Sequence, residues 1–327
     1  MGQNRILVTG GLGLIGHNVV SRLEKLGHEV IVTDTLTNYG VIPQEEIDYL
    51  MGERRKKITT PYIHRVDISD ASGVDWLIRH YHIDTIIHMA SFPRQKVVNA
   101  NPAKGSRIMS EGLLNLLESS SKNASMKRFV YISSSMVYGD FTDDVTEDAP
   151  CRPQGQYGIM KLAGEWLVRD YTRSCGLEHV IIRPSAVYGP LDVEDRVISK
   201  FLLTAMRGGV LRVNGPRESL DFTYVDDAAQ GIVSATLSDR TINKTYNITK
   251  SHSRSLLDAA QLAIKIVGRG SIDIGDRDQD FPSRGALNID AARRDFDFFP
   301  TVDVEEGFQA YYEWLDDSVY WSKKTVS

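Results

Sequence analysis

Tyr157 and Lys161 are a pair of residues whose types and spacing could do chemistry. A spacing of four residues places both side chains on one face of a helix, about one turn apart. A phenol is a poor base at neutral pH because its ordinary pKa is about 10, but a nearby ammonium favours the tyrosinate and lowers that pKa. The pair therefore predicts a general base that removes a proton from a hydroxyl group, although a surface tyrosine and lysine of an amphipathic helix can share this spacing.

Three consecutive serines end an apolar segment ahead of this pair. Ser133, Ser134 and Ser135 belong to the stretch YISSSMVYG, whose first residues are typical of a buried strand. A doubly wound sheet binds its ligands at the carboxyl ends of its strands. One of these hydroxyls could therefore share a proton with a substrate oxygen, and spacing alone leaves all three as candidates.

The segment TGGLGLIG follows the first predicted strand and opens a predicted helix. Its glycines at every third position are typical of a dinucleotide-binding loop, because they allow a tight turn, close approach to a pyrophosphate and close packing of helix on strand. The free N–H groups and the positive dipole end of the helix would face the phosphates. The positions predicted to contact the dinucleotide here are Gly10, Gly13, Leu14, Ile15 and Gly16.

Asp34 ends the second predicted strand, 18 residues after Gly16. A carboxylate at this place can accept hydrogen bonds from the 2′- and 3′-hydroxyls of a ribose, and it repels a 2′-phosphate. No arginine follows directly, since the next residues are Thr35, Leu36 and Thr37. The cofactor is therefore predicted to be NAD and not NADP.

Apolar, β-branched segments alternate with helix-length segments through the first two-thirds of the chain. This alternation predicts an α/β fold, namely a Rossmann doubly wound parallel sheet covered by helices on both faces. After about Gly189 the predicted strands become short and isolated. We therefore expect an NAD-binding domain over residues 1–185 and a smaller C-terminal substrate-binding lobe over residues 186–327, with some exchange of chain between them.

The predicted strands are Ile6–Thr9, Glu29–Thr33, Tyr62–Val66, Thr85–Met89, Phe129–Ser133, His179–Ile182, Val210–Val213 and Asp221–Tyr224. The predicted helices are Leu14–Leu26, Pro102–Ser121, Tyr157–Ser174, Ile198–Met206, Asp226–Leu237, Ser255–Val267 and Val304–Tyr320.

The composition excludes several classes of function. A formal net charge of -5 over 327 residues gives no bulk attraction for nucleic acid or anionic membrane. The chain has no apolar run long enough for a membrane span, and its eight histidines and two cysteines form no HxxxH or CxxC motif, so neither a membrane nor a metal site is predicted. No targeting segment precedes the first strand, and we expect a cytoplasmic protein.

Residues 38–60, with the charge run ERRKK at 53–57, are interpreted as a surface insertion with solvated charges.

Further segments occur in the order that is typical of one enzyme family. Besides the glycine loop, Asp34, SSSMVYG and the Y-x-x-x-K pair, the chain has VDIS at 66–69, HMAS at 88–91, RPSAVYGP at 183–190 and LDFTYVDDAAQGI at 220–232. With these motifs it resembles, over nearly its whole length, the NAD-dependent epimerase/dehydratase family. These are extended short-chain dehydrogenases/reductases and include UDP-galactose 4-epimerase-like enzymes of nucleotide sugars. The resemblance implies a Rossmann fold, NAD as cofactor and a nucleotide sugar as substrate.

The resemblance also implies roles for single residues. The catalytic Ser or Thr of the family lies four positions before the Tyr of VYG, which makes it Ser134, with Ser133 as the runner-up, beside Tyr157 and Lys161. The further implied cofactor contacts are Asp67 and Ile68 at the adenine, Ala90 and Ser91 along the cofactor, Ser133, and Pro184 by the nicotinamide.

Several positions depart from the family pattern. The family's 4,6-dehydratases carry an Asp-Glu pair after the catalytic hydroxyl residue, and Ser135 and Met136 stand there instead. Many epimerases have Asn before VYGP where this chain has Ala186. An Arg usually precedes the Asp of FTYVDD, and Leu220 replaces it, so that another arginine must bind the diphosphate. In the helix after HMAS, Met109 stands where the family usually has Asn. The implied substrate contacts are Ser135, Ala186, Lys200, Arg217 and Arg284.

The function that these motifs favour is epimerisation of a nucleotide sugar at C4 through a transient 4-keto intermediate. The alternatives are a 4-keto reductase or dehydrogenase, against which Asp34 argues, and a sugar-acid decarboxylase. A more remote alternative is a non-catalytic dinucleotide-binding regulator, which would have no need of the catalytic residues. A decarboxylase would need a cationic pocket, for which the candidates are Arg94, Lys96, Arg196 and Lys200. Related enzymes dimerise through the helices that begin near Pro102 and Tyr157, so a homodimer is expected, with Leu113, Leu117 and Trp166 on its exposed faces.

Overall fold

The computed structural model describes residues 3–38, 40, 42–92 and 95–325. Its strands are β1 (Arg5–Thr9), β2 (Glu29–Thr33), β3 (Ile63–His64), β4 (Thr85–His88), β5 (Arg128–Ile132), β6 (Glu178–Pro184), β7 (Val187–Tyr188), β8 (Val210–Asn214), β9 (Ser219–Asp221), β10 (Thr223–Tyr224), β11 (Lys244–Ile248), β12 (Ser253–Ser255) and β13 (Ser271–Gly275).

The α-helices are α1 (Leu14–Lys25), α2 (Gln44–Lys56), α3 (Ala71–His80), α4 (Gln95–Ala100), α5 (Pro102–Ser106), α6 (Gly112–Ser121), α7 (Gly155–Cys175), α8 (Val197–Met206), α9 (Val225–Leu237), α10 (Leu256–Val267), α11 (Asp290–Phe296), α12 (Val304–Asp317) and α13 (Val319–Thr325). A π-helical turn, Arg107–Glu111, joins α5 to α6, and short 3₁₀ turns lie at Ser135–Val137 and Asp239–Thr241.

Within the described residues, seven strands form one parallel sheet in the order β11-β6-β5-β4-β1-β2-β3. Leu7 of β1 lies opposite Ile31 of β2 on one side and Ile86 of β4 on the other. These central strands are continuous apolar runs because helices cover both faces of the sheet. The strand order reverses between β1 and β4, which opens a crevice at the carboxyl ends of the strands, where such sheets bind ligands. The predicted Rossmann fold is confirmed.

Two helical layers enclose the sheet. Helices α1, α9 and α11 cover the face that carries Val8, and helices α3, α6 and α7 cover the face that carries Leu7. Leu113 and Leu117 are fully buried in the second layer. Their predicted place on an exposed dimer face is therefore wrong, because this side of α6 packs against the sheet. Leu114 is the leucine of α6 that faces outward.

The smaller lobe has its own apolar core. Side chains of α8, α10, α12 and α13 meet there, among them Phe201, Phe308 and Trp321. The chain does not pass once from domain to lobe at residue 185, because β11 pairs with β6 in the main sheet and α9 packs on α1. Residues 225–248 and α11 therefore pack on the main sheet, while the domain bounds stay a prediction.

The interpretation of residues 38–60 as a surface insertion is wrong for α2. Ile47 and Leu50 of this helix are buried, and so is Arg54, which is only 4% exposed. The charge run at 53–57 is therefore not uniformly solvated, because helical periodicity turns Arg54 inward while Arg55, Lys56 and Lys57 stay exposed.

Other differences concern the bounds of elements. The predicted strand Asp221–Tyr224 is divided between β9 and β10, which belong to separate two-stranded sheets. The predicted closing helix is interrupted at Ser318, which separates α12 from α13. Of the predicted strand Tyr62–Val66, only β3 pairs with the main sheet. None of the helices in the described ranges is long and apolar enough to cross a membrane.

Candidate active site

Tyr157, Lys161 and Ser134 lie together at the carboxyl end of β5. Tyr157 is in the first turn of α7, and Lys161 follows one turn later. The Ser134 hydroxyl accepts a bond from the Met136 N–H at 3.2 Å, and its interaction with the Tyr157 phenol favours a lower pKa of that phenol. The Lys161 Nζ donates to the Ile132 carbonyl at 2.8 Å and lies 5.9 Å from the centre of the Tyr157 ring. The structure thus brings together the three side chains that the sequence proposed as catalytic.

Burial acts on both titrating groups of the pair. It raises the pKa of Tyr157, and the charge of Arg196 and the hydrogen bond with Ser134 oppose that rise. Burial also lowers the pKa of Lys161 to about 7, against the opposing charge of Glu165. The chain itself therefore supplies Arg196 and Ser134 to favour the tyrosinate, and Glu165 to favour the Lys161 ammonium.

Glu165 connects the elements that carry the candidate catalytic groups. It lies one turn after Lys161 on α7 and is completely buried. Its carboxylate accepts hydrogen bonds from the Ser133 hydroxyl at 2.6 Å and from the Arg183 Nε and Nη2 at 2.9 and 2.7 Å. This carboxylate therefore joins α7 to the ends of β5 and β6. Its position at the next i+4 step after Tyr157 and Lys161 is a signal in the sequence, although its role was not predicted.

The same contacts distinguish the three serines. The Ser133 hydroxyl is bound to Glu165, and the Ser135 hydroxyl donates to the Ser185 hydroxyl at 3.2 Å. Ser134 is the one whose hydroxyl reaches the phenol of Tyr157. The contact of Ser133 with the cofactor stays a prediction, because both its hydroxyl proton and its backbone N–H are already donated within the protein.

The glycine loop between β1 and α1 has the shape of a cradle for a dinucleotide. Gly10 has φ +69°, and a Cβ there would lie 2.8 Å from the Ala90 nitrogen. A Cβ on Gly16 would lie 2.3 Å from the Gly10 carbonyl oxygen. Gly13 is the N-cap of α1, so the N–H groups of Leu14 and Ile15 point out of the first turn. The residues present therefore fit a pyrophosphate bound at a helix N-terminus.

Asp34 lies beside this loop at the end of β2. Its Oδ2 accepts a hydrogen bond from the Leu12 N–H at 3.0 Å, and its Oδ1 accepts one from the Leu36 N–H at 3.0 Å. Burial raises the pKa of this carboxyl, and these two backbone bonds oppose the rise. Each carboxylate oxygen can accept a second bond, which fits a pair of ribose hydroxyls.

The other predicted cofactor residues lie on neighbouring strand ends. The Ala90 N–H, two residues beyond the end of β4, donates to the Thr9 hydroxyl at 3.1 Å. Asp67 is exposed and accepts two bonds from Ser69, whereas Ile68 is buried and packs against Gly112. Ser91 follows Ala90, and Pro184 ends β6. All of these positions belong to the same edge of the sheet or to its adjoining loops.

The charged residues predicted to contact the substrate differ in burial and in whether they have an ion-pair partner. Lys200 forms an ion pair with Asp195 at 2.5 Å, and Arg217 is exposed. The Nε of Arg284 is buried and has no hydrogen-bond partner among the described residues. Burial lowers the pKa of Arg284 to about 10, against the charge of Glu218. Ala186 has φ +37°, which is rare for a residue with a side chain.

Helix α4, which the sequence did not predict, covers one side of Tyr157. Phe92, Val97, Val98 and Met109 form a small apolar cluster against which the Tyr157 ring packs. The same helix is fastened to the smaller lobe, because the Gln95 amide donates to the Asp280 carbonyl and Lys96 pairs with Asp278 at 2.8 Å. Of the candidate cations for a carboxylate pocket, Lys96 is thus paired, and Arg94 lies outside the described residues.

Comparisons with known proteins give the same picture. The dTDP-glucose 4,6-dehydratase of Neisseria meningitidis is 28% identical over 98% of this chain and 95% of its own length. The UDP-glucuronic acid 4-epimerase of Bacillus cereus, solved with UDP-glucuronic acid and NAD, superposes with a TM-score of 0.86 at 26% identity, covering 95% of this chain and 98% of that one. The chain spans about half (48%) of a trifunctional UDP-glucose 4,6-dehydratase, epimerase and reductase of Arabidopsis thaliana, at 26% identity over 97% of this chain.

The sequence profile of one family matches most of the chain. It is described as the NAD dependent epimerase/dehydratase family, and it matches residues 6–249. This match covers the glycine loop, Asp34, the three serines and the Tyr157–Lys161 pair. NAD is therefore the cofactor of this fold, and the cradle between β1 and α1 fits it. The chain belongs to the NAD-dependent epimerase/dehydratase family.

Proposed function

We propose that this protein is a nucleotide-sugar epimerase that inverts C4 through a transient 4-keto intermediate. The observation that carries the proposal is the arrangement of Tyr157, Ser134 and Lys161 at the ligand-binding edge of the sheet, next to the cofactor cradle. This set can remove a proton from a sugar hydroxyl and return it, which is what reversible oxidation of that carbon requires.

The residues divide this work among them. Tyr157, as tyrosinate, removes the proton of the sugar hydroxyl, and Ser134 hydrogen-bonds the same oxygen. NAD held by the glycine loop and Asp34 would supply the acceptor, and then the donor, of the hydride of that carbon. The ketone then presents its other face, and Tyr157 returns the proton to the oxygen. Lys161 favours the tyrosinate during the first half of the cycle and is itself favoured as an ammonium by Glu165.

Two observations weigh against dehydration. In the positions where the family's 4,6-dehydratases carry Asp and Glu, this chain has Ser135 and Met136, and both are buried. The Ser135 hydroxyl is directed to Ser185. Neither residue can act as the acid or base for removal of water across C5–C6, although the chain is similar to a dTDP-glucose 4,6-dehydratase.

Arg284 is our candidate for binding the diphosphate. Its guanidinium is held in the protein with an Nε that lacks a partner among the described residues, and the carboxylate of Glu218 acts on it only at longer range. An anionic diphosphate would supply the missing acceptors. We expect Arg284→Met to raise KM for the nucleotide sugar at least tenfold. Arg212→Met, which removes an exposed charge of β8 in the smaller lobe, serves as the control and should change KM little.

A homodimer through α5–α6 and α7 is the assembly that we propose. The outward face of these helices exposes Trp166 by 64%, Ile159 by 52% and Leu114 by 37%. Exposed apolar side chains on adjacent helices can be buried by the same surface of a second copy around a two-fold axis.

The proposal is tested with a panel of UDP-, dTDP-, GDP- and CDP-linked sugars, followed by separation and mass determination of the products. An epimerase converts one sugar into another of equal mass without net formation of NADH. Loss of 18 mass units would identify a dehydratase and loss of 44 a decarboxylase, while stoichiometric change of NADH would identify a dehydrogenase or reductase. Absence of turnover with tight NAD binding would favour the regulator.

A further inference from the structure

We propose that Arg54 is a positioning residue that couples the cofactor loop to the loop on the substrate side of the cleft. Its Nη1 donates to the Leu12 carbonyl at 3.1 Å. Its Nε and Nη2 both donate to the Leu191 carbonyl, at 3.2 and 2.6 Å. One guanidinium therefore holds two loops that belong to different parts of the molecule.

Each of the two carbonyls lies in or next to a segment with predicted ligand contacts, namely Gly10–Gly16 for the cofactor and Ala186 for the substrate. Leu12 is inside the glycine loop, and its N–H is bound by the carboxylate of Asp34. Leu191 directly follows the RPSAVYGP motif, which leads from β6 to α8. A shift of the glycine loop on cofactor binding would therefore act directly on the Arg54 guanidinium, and through it on the second loop.

The loop between β6 and α8, which contains Leu191, has a backbone conformation that must be stabilised by contacts with other segments. Leu191 has φ +70° and Ala186 has φ +37°, both in the left-handed region that side chains disfavour. Such a conformation persists only where its surroundings hold it in place. Arg54 does so with two of its three hydrogen bonds, and Glu46 of the same helix adds another by accepting the Glu194 N–H at 2.7 Å.

The Arg54 guanidinium is buried and depends on backbone carbonyls for its hydrogen bonds. The side chain is only 4% exposed. Among the described residues, no carboxylate lies within ion-pair distance of its guanidinium, and Asp192 and Asp34 act on it at longer range. A buried guanidinium must satisfy its N–H groups locally, so the two carbonyls are held by charge-assisted bonds with little freedom to exchange for water.

Helix α2 is thereby a bridge between the two parts of the fold. Besides Arg54 and Glu46, it contributes Tyr49, whose hydroxyl lies 2.8 Å from the Ser318 hydroxyl at the start of the last helix. The inference goes beyond the proposed function because it concerns NAD binding alone. It holds or fails whichever sugar the enzyme takes.

The test is hydrogen–deuterium exchange measured with and without NAD on the full chain. In the wild type we expect NAD to slow exchange at least about fivefold both in residues 9–16 and in residues 191–196. In Arg54→Met the protection of residues 9–16 should persist at saturating NAD, while the protection of residues 191–196 is lost. Arg55→Met, which removes a neighbouring exposed charge, should behave like the wild type.

A purely structural loss would raise exchange in residues 191–196 with and without NAD alike, and would leave the ratio between the two states unchanged. Arg54→Lys provides a second variant that keeps the buried charge but offers a single nitrogen, and it should transmit less than half of the wild-type protection. If residues 191–196 are not protected by NAD in the wild type, the proposal is overturned. The same holds if folded Arg54→Met or Arg54→Lys transmits the full effect.

Discussion

Replacement of Tyr157 by Phe separates catalysis from folding and from cofactor binding. The phenol oxygen is the only group removed, and the ring keeps its contacts with Phe92, Val97 and Met109. The interaction of the phenol oxygen with Ser134 is lost, and a single hydrogen-bonding contact is typically worth about 0.5–1.5 kcal/mol of stability. Loss of a general base typically slows a reaction about 100- to 10,000-fold, which corresponds to roughly 3–5 kcal/mol of barrier. The effect on rate should therefore far exceed the effect on stability.

The assay compares kcat, the dissociation constant for NAD and the midpoint of thermal unfolding for the wild type and Tyr157→Phe. We expect kcat to fall by at least 100-fold, while NAD affinity and thermal stability stay nearly unchanged. Tyr171→Phe is the matched control, since Tyr171 lies on the same helix with its hydroxyl bound to Glu118 near the surface. It should retain wild-type kcat. A Tyr157→Phe protein with full activity would refute the catalytic assignment of the whole Tyr157–Lys161 pair.

The same geometry predicts the outcome of four other measurements. Lys161→Met should lower kcat as much as Tyr157→Phe and should also weaken NAD binding, which isothermal titration would detect. Asp34→Ala should narrow the difference between the dissociation constants for NAD and NADP, and equal affinities in the wild type would contradict the role of Asp34. Trp166→Lys should shift the protein from dimer to monomer in light scattering at micromolar concentration, whereas a wild-type monomer would rule out the proposed interface. Buried histidines with a pKa lowered to about 4 or below bind protons only on unfolding, so the free energy of unfolding should fall as the pH drops from about 6.5 to 4, and a denaturant titration at pH 7 and 5 checks this. These histidines are His17, His88 and His179.

The parts of the fold that the sequence predicted are those with a local signal. Strands β1, β2, β4, β5 and β6 could be predicted because both faces of a parallel sheet are covered and the strands are therefore continuously apolar. The glycine loop could be predicted because its backbone segments approach so closely that a Cβ is excluded. The proximity of Tyr157 and Lys161 was also predictable, since the two side chains share a helix face. Spacing alone left three serines as candidates, and the family resemblance selected Ser134, so the catalytic roles stay predictions.

The parts that the sequence did not predict depend on contacts between distant segments. A charge run gives no indication that Arg54 alone turns inward, because its partners are the carbonyls of Leu12 and Leu191. Leucines at 113, 114 and 117 look alike in sequence, and the sheet decides which of them are buried. The role of Glu165 was not predicted for a similar reason. The carboxylate on α7 joins this helix to the sheet by binding Arg183 of β6, which is distant in sequence.

In the proposed reaction one carbon of the sugar is oxidised and then reduced with the same bound cofactor. The most direct test uses the true substrate carrying deuterium on that carbon and follows the label by mass spectrometry and NMR. We expect the deuterium to return to the same carbon of the inverted product, with no accumulation of NADH. Loss of the label to solvent would indicate deprotonation beside a ketone, and it would contradict epimerisation by transient oxidation at C4.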